Sequence, residues 1–311
     1  MSNHADPTIP LNMPATPRKV NRWRKWRPYL IIAPAFLLTI GIMYPFLTAV
    51  WYSFTNYSLT RPTFEFIAFK NYRIILQDPS FWNAVSVTVR YALGAVAVEM
   101  LLGLGIALLL NQEHWLAKAL RYVLIFPLMI SPVIGTLIWK LMMSPSVGIL
   151  NYYLSKIGIK DFPWAASQKT AMMSVVLVDV WIFTPFVGLL LLAGLRSLPR
   201  APYEAATLDG GSAWFTFKTL TLPMLMPYMM VCLMFRLIDS LKMFDIIYAM
   251  TGGGPGDSLM NFSLQAYFNG FLYLNLAYGL AYMIILWLIV YIISQVLSAY
   301  WGKAQKRAVG Q

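Results

Sequence analysis

The sequence predicts an all-α polytopic membrane protein with about six transmembrane helices, and three observations carry that prediction. Hydrophobic residues make up 59% of the 311 and charged residues 12%, about half the charged share of an ordinary soluble domain. Mean hydropathy is +0.62. Six apolar stretches each approach or exceed the roughly 20 residues that a helix needs to cross the hydrocarbon of a bilayer. A soluble enzyme, a disordered chain and a disulfide scaffold are thereby excluded, because water could not solvate so much apolar surface. The single cysteine, Cys232, can form no bond within the chain.

The spans follow in order. After a basic tail over residues 1–28 come Tyr29–Val50, Val85–Leu110, Ala119–Met143, Thr170–Leu195, Met224–Ile247 and Leu276–Tyr300, and then a second tail over 301–311. The six-span domain is therefore 29–300. Alternating ten-residue segments, the mark of a barrel, do not occur. The first span is preceded by a basic cluster but is too long for a cleaved leader, and no A-x-A site follows it. Trp51, Tyr52, Phe54 and Tyr57 then fit an interfacial aromatic belt. The segment Phe69–Trp82 has near-helical spacing, and is read either as a helix along the membrane surface or as a plain connection.

Lys and Arg set the orientation. The tails and the loops at 111–118 and 196–223 hold 13 of them, from Arg18 to Arg307, against six in the other loops: Arg61, Lys70, Arg73, Lys156, Lys160 and Lys169. Positively charged loops stay inside, so both termini of this multi-pass chain are expected in the cytoplasm. The net charge of +12 thus reports sidedness, and nucleic acid is not an expected partner.

Motifs for chemistry are absent. There is no G-x-x-x-x-G-K-[ST] cradle for phosphate and no G-x-S-x-G nucleophile turn. Asp257 stands where the glycine run at 252–256 would need its last glycine to bind a dinucleotide. The only histidines, His4 and His114, are far apart, so no metal site is expected. Energy for any work must come from another chain.

Between spans four and five, residues 198–227 read LPRAPYEAATLDGGSAWFTFKTLTLPMLMP. Pro202 suits a first helical turn and Glu204 the positive end of a helix dipole. Gly210 and Gly211 allow the left-handed residue that closes such a helix, Ser212 can cap the next one, and Pro223 opens the following span.

This loop resembles the EAA loop of permease subunits in bacterial binding-protein-dependent ABC importers: E-A-A, three residues, G, nine residues, I-x-L-P. Glu204, Ala205, Ala206, Asp209, Gly210, Leu222 and Pro223 match in place, while Leu220 and Gly211 depart mildly. The segment FDIIYAMTGGGPGDS at 244–258, and Asn71-Tyr72 followed by Asp78, Phe81 and Trp82, are similar to the carbohydrate branch of that family, which includes maltose and glycerol-3-phosphate importers. The resemblance implies a multi-pass subunit of the bacterial inner (plasma) membrane, without its own enzyme activity or cofactor. ATP and Mg would be bound by a cytoplasmic ATPase dimer gripping the EAA helix. A second permease, related but different, would complete the pathway, and a periplasmic or lipid-anchored binding protein would deliver the substrate.

Ionisable groups in the spans are costly and either pair or line a cavity. Asp179 and Arg236 fall at similar depth by helical rise, and Asp239, Lys242 and Asp245 continue at three-residue spacing with alternating sign. Two readings stand: a structural ion pair, or a substrate pathway formed by Asp179, Trp181, Arg236, Asp239 and Lys242. Arg90 and Glu99 in span two are too far apart to pair. Pro127, Pro132 and Pro185 interrupt spans three and four. A secondary transporter would need its own coupling-ion site and often an inverted repeat, and a membrane-embedded transferase an acidic or histidine cluster. The transferase's cluster is not found, and co-purification with an ATPase would separate an importer from the secondary transporter. The identity of the carbohydrate is not readable.

Overall fold

The computed structural model describes residues 22–112 and 114–308. Most of the basic tail, with His4, Arg18 and Lys19, lies outside the described residues. Those described form helices joined by short loops, with one isolated antiparallel bridge between Thr55 and Phe66.

In chain order the helices are α1 (Arg22–Ser53), α2 (Lys70–Gln77), α3 (Pro79–Leu110), α4 (Trp115–Met129), α5 (Pro132–Met142), α6 (Ile149–Lys156), α7 (Gln168–Ser197), α8 (Ala201–Leu208), α9 (Ala213–Thr216), α10 (Leu222–Leu241), α11 (Asp245–Thr251), α12 (Phe262–Tyr267) and α13 (Leu276–Ala308). The chain divides into one unit through Thr48 and another from Ala49 onward. In the first, none of the described side chains of α1 is buried. Its helix already begins at Arg22, so the basic residues before Tyr29 extend the span rather than form a loop.

Among the described residues, five helices are long and apolar enough to cross a membrane: Trp26–Ser53, Pro79–Leu110, Gln168–Ser197, Ala213–Leu241 and Leu276–Lys306. Two expected spans differ from the sequence reading. The third is a broken pair, α4 and α5, bent by 97°. Pro132 has no N–H and excludes helical geometry for its predecessor, and Ser131 accordingly turns extended at ψ 134°. The fifth stops at Leu241, not Ile247. There the carbonyls of Lys242 and Met243 accept hydrogen bonds from the side chains of Ser263 and Asn261, which hold the backbone out of the helical ladder until α11 restarts it. The charges at 239, 242 and 245 therefore do not lie on one continuous helix.

Within the second unit, α3 packs along α7. Gly103 makes that approach possible, since a Cβ there would meet the Val187 side chain and sit 3.1 Å from the Gly188 nitrogen. One apolar cluster, including Tyr91, Val175, Val178, Ile182, Ile246, Ile247 and Leu259, fills the end of the bundle near α11. Another, including Ala107, Leu191, Leu195, Leu225 and Cys232, fills the end near α8. The segment after α1 is helical and tied down: Asn71 in α2 is buried and donates to the carbonyls of Ser53 and Thr55, both at 2.8 Å. Asp78 caps α3 by accepting the Ser80 N–H at 2.8 Å.

Candidate functional site

Two groups of residues combine polarity with a defined position: the loop around α8, and a charge cluster buried between α3, α7 and α10.

The loop is built almost entirely by local rules. Pro202 occupies the first turn of α8 and Glu204 lies in that same turn, where the exposed N–H groups and the dipole favour an anion. At the other end, the Gly211 N–H reaches the Ala206 carbonyl at 2.8 Å and the Gly210 N–H reaches that of Thr207 at 3.2 Å. This is the paired closure of a helix whose next residue turns left-handed, and Gly210 takes φ +75°. Ser212 Oγ then accepts the Phe215 N–H at 3.2 Å and caps α9. A π-helical turn over Phe217–Thr221 joins α9 to α10, with the Leu222 N–H reaching back five residues to Phe217. Pro223 follows in the first turn of α10 and supplies no N–H to the ladder.

The loop is anchored from one side only. The Tyr203 hydroxyl donates to Thr221 Oγ1 at 3.2 Å, and Ser197 Oγ donates to the Tyr228 hydroxyl at 2.6 Å. Otherwise no residue of α8 is buried. Leu208 is 89% exposed, Trp214 71% and Phe215 55%. A cavity of about 720 Å³ lies beside the helix, lined among others by Asn111, Arg196, Arg200, Tyr203 and Glu204.

The buried cluster is centred on Arg236. Its Nε donates to Glu99 Oε2 at 2.6 Å and its Nη2 to Glu99 Oε1 at 2.8 Å, a two-pronged pairing between α10 and α3. The same Nη2 reaches Asp179 Oδ2 on α7 at 3.0 Å, and Nη1 reaches Asp239 Oδ2 at 2.8 Å. Phe183 lays its ring 3.9 Å from the guanidinium carbon. Arg236, Glu99 and Asp179 are buried, whereas the Asp239 side chain is 52% exposed. Burial in a low-dielectric interior makes such pairing obligatory, because an ion left alone there costs several kcal/mol. Asp179 Oδ1 and the nearby Tyr91 hydroxyl are buried without a hydrogen-bond partner among the described residues.

The expected meeting of Asp179 and Arg236 is therefore present, but as part of a larger set. Glu99, which the sequence reading left without a partner, is the strongest contact. Asp239 pairs with Arg236 three residues away. Lys242 is exposed at the end of α10 and Asp245 is exposed on α11, so the expected pairing along one helix stops at Asp239. Trp181 packs edge-on against Trp139 at 5.8 Å between centroids and belongs to the packing of the neighbouring apolar cluster. Phe186 faces Phe235 at 6.3 Å.

Comparison with known proteins gives a consistent result. Residues 99–300 match the family described as the binding-protein-dependent transport system inner membrane component. The chain is 38% identical over 242 residues to the trehalose/maltose transport system permease protein MalF of Thermococcus litoralis, covering 77% of this chain and 81% of that protein. It is 35% identical to the sulfoquinovosyl glycerol transport system permease protein SmoG of Agrobacterium fabrum, covering 86% and 90%. Its fold is similar to a chain of a bacterial ABC transporter involved in the import of the acidic polysaccharide alginate, with a TM-score of 0.79 at 22% identity, over 90% of this chain and 96% of that one. With the family model matching nearly two thirds of the sequence, and with bundle and loop both in place, this chain belongs to the inner-membrane permease components of binding-protein-dependent transport systems.

Proposed function

We propose that this permease carries a carbohydrate or related polyol inward, and that α8 is the element through which a cytoplasmic ATPase drives it. One observation carries the second half of that reading: α8 and α9 display Leu208, Trp214 and Phe215 to solvent on a loop closed at Gly210–Gly211 and capped by Ser212. Exposed apolar side chains on a rigid support mark a surface made to be covered by another protein. Glu204, Ala205, Ala206, Asp209 and Gly210 form the helix and its turn. Leu222 and Pro223 open α10 directly after the π-helical turn, so a push on the loop is delivered to the span that carries Arg236. The carbohydrate cargo rests on the relatives, whose names include trehalose/maltose and sulfoquinovosyl glycerol systems.

In this reading ATP and Mg belong to an ATPase dimer, this chain binds no cofactor, and a second, different permease supplies the other half of the pathway. A periplasmic or lipid-anchored binding protein delivers the substrate. Asp239, half-exposed beside the buried Asp179–Arg236 pair, and Lys242 line the pathway. Both termini are cytoplasmic. A cysteine replacing Lys218 should then resist an impermeant thiol reagent in intact cells, while cysteines replacing Lys156 or Ser258 react. Labelling in the opposite pattern would reverse the orientation.

The test of coupling is reconstitution with Glu204→Lys or Gly210→Asp. The first places a cation at the positive end of α8. The second adds a β-carbon and a negative charge at the left-handed residue that closes α8. Each is expected to abolish substrate-stimulated ATP hydrolysis and uptake while the protein still reaches the membrane. Normal stimulation in either variant would remove α8 from the coupling path.

A further inference from the structure

A fold shared with an importer of an acidic polysaccharide leaves the charge of this chain's own cargo open. From the Arg236 cluster we propose that the pathway admits neutral carbohydrates and rejects anionic ones, with Asp239 as the residue that enforces the choice. This rests on the reading above that Asp239 lines the pathway.

An anionic sugar is recognised through free cationic donors, most often a guanidinium offering two parallel N–H groups. Arg236 has none to offer in that geometry. Of its five N–H groups, Nε and Nη2 are committed to Glu99 and Asp179, Nη2 also approaches Ser240 Oγ at 3.3 Å, and Nη1 is committed to Asp239. The Phe183 ring covers one face. A single Nη1 hydrogen remains. Glu99, Asp179 and Asp239 thus surround Arg236, three acidic groups against one basic one.

The outward member of the cluster is an acceptor. Asp239 is 52% exposed at a position within a membrane-crossing helix, and a carboxylate there faces a cavity or a polar partner rather than lipid. Its free oxygen, Oδ1, can accept a hydrogen bond from a sugar hydroxyl. It repels a carboxylate, sulfonate or phosphate at the same distance, and in a partly desolvated site that repulsion is far stronger than in water. Rejection by a fixed like charge is a form of specificity separate from attraction to the correct ligand.

The test uses the permease pair assembled with its ATPase in lipid nanodiscs, without the binding protein, so that any charge preference belongs to the membrane part. Binding is compared by saturation-transfer NMR for three matched probes: maltose and maltobionate, cellobiose and cellobionate, glucose and glucuronate. The wild-type assembly is expected to favour the neutral member of any pair it binds by about tenfold or more. Asp239→Asn, which keeps the size and the acceptor but removes the charge, should narrow that ratio to about twofold. Equal or tighter binding of an acid by the wild type would overturn the charge rule and leave the pathway reading intact. A ratio unchanged by Asp239→Asn would overturn the assignment to Asp239. Binding of none of the six probes would reject the pathway reading and the proposal with it.

Discussion

The α8 loop and the Arg236 cluster are both built around charged residues, yet they are made in opposite ways. The loop is exposed and local: each of its turns is set by residues within five positions, from Pro202 through the Gly210–Gly211 closure to the Ser212 cap. The cluster is buried and non-local, joining residues 137 and 57 positions apart in sequence. One region presents a finished shape to a partner. The other is itself the joint that holds α3, α7 and α10 in register. A defect in the loop should therefore spare folding and stop transport, while a defect in the cluster should damage the fold first.

The largest break in that comparison is at Arg236. Replacing it with alanine leaves Glu99 and Asp179 buried without a counter-charge, and loss of one partner from a buried ionic set costs about 3–5 kcal/mol. Little correctly assembled permease should be recovered, as measured by detergent-solubilised yield and thermal unfolding. Exchanging Arg236 and Asp179 should not rescue it. A simple pair would survive the exchange, but an aspartate at 236 would face Glu99 and Asp239 with the cation displaced. Recovery in the double variant would reduce the cluster to a single pair.

Smaller effects sharpen the contrast from the other side. Gly210→Ala should cost about 1–2 kcal/mol, because a β-carbon disfavours the left-handed turn. It should lower stimulated ATP hydrolysis more than it lowers yield. Ser212→Ala removes one cap of the α9 turn, worth about 1 kcal/mol, and should reduce coupling only partly. If either change reduced the amount of folded permease as severely as Arg236→Ala, the loop would be part of the core rather than an appended contact.

What could be read in advance follows the same division. The loop was legible because capping, glycine turns and proline placement act over a few residues, and its left-handed Gly210 and its Ser212 cap appear where the sequence puts them. The pairing of Asp179 with Arg236 was legible from depth alone. Glu99 was missed because depth in span two was judged from its neighbours on the same helix. Counted instead from the inner ends of the spans, Glu99 and Arg236 both lie about 16–18 Å in, so a partner across the bundle was available. The broken third span had a visible cause in Pro132, but a bend of 97° does not follow from one proline. The early end of the fifth span depends on side chains of Asn261 and Ser263, some twenty residues downstream, which no periodicity within the span reveals.

The central claim is that the α8–α9 surface is where the driving ATPase docks, and cross-linking tests it directly. Cys232 is the chain's only cysteine and is buried, so a Cys232→Ser background permits a single label at Leu208→Cys, the most exposed apolar position on the loop. A benzophenone-maleimide attached there and irradiated in membranes containing the assembled importer should yield an adduct with the ATPase subunit whose abundance changes when ATP and vanadate are added. An adduct only with lipid or with another membrane subunit would contradict the claim.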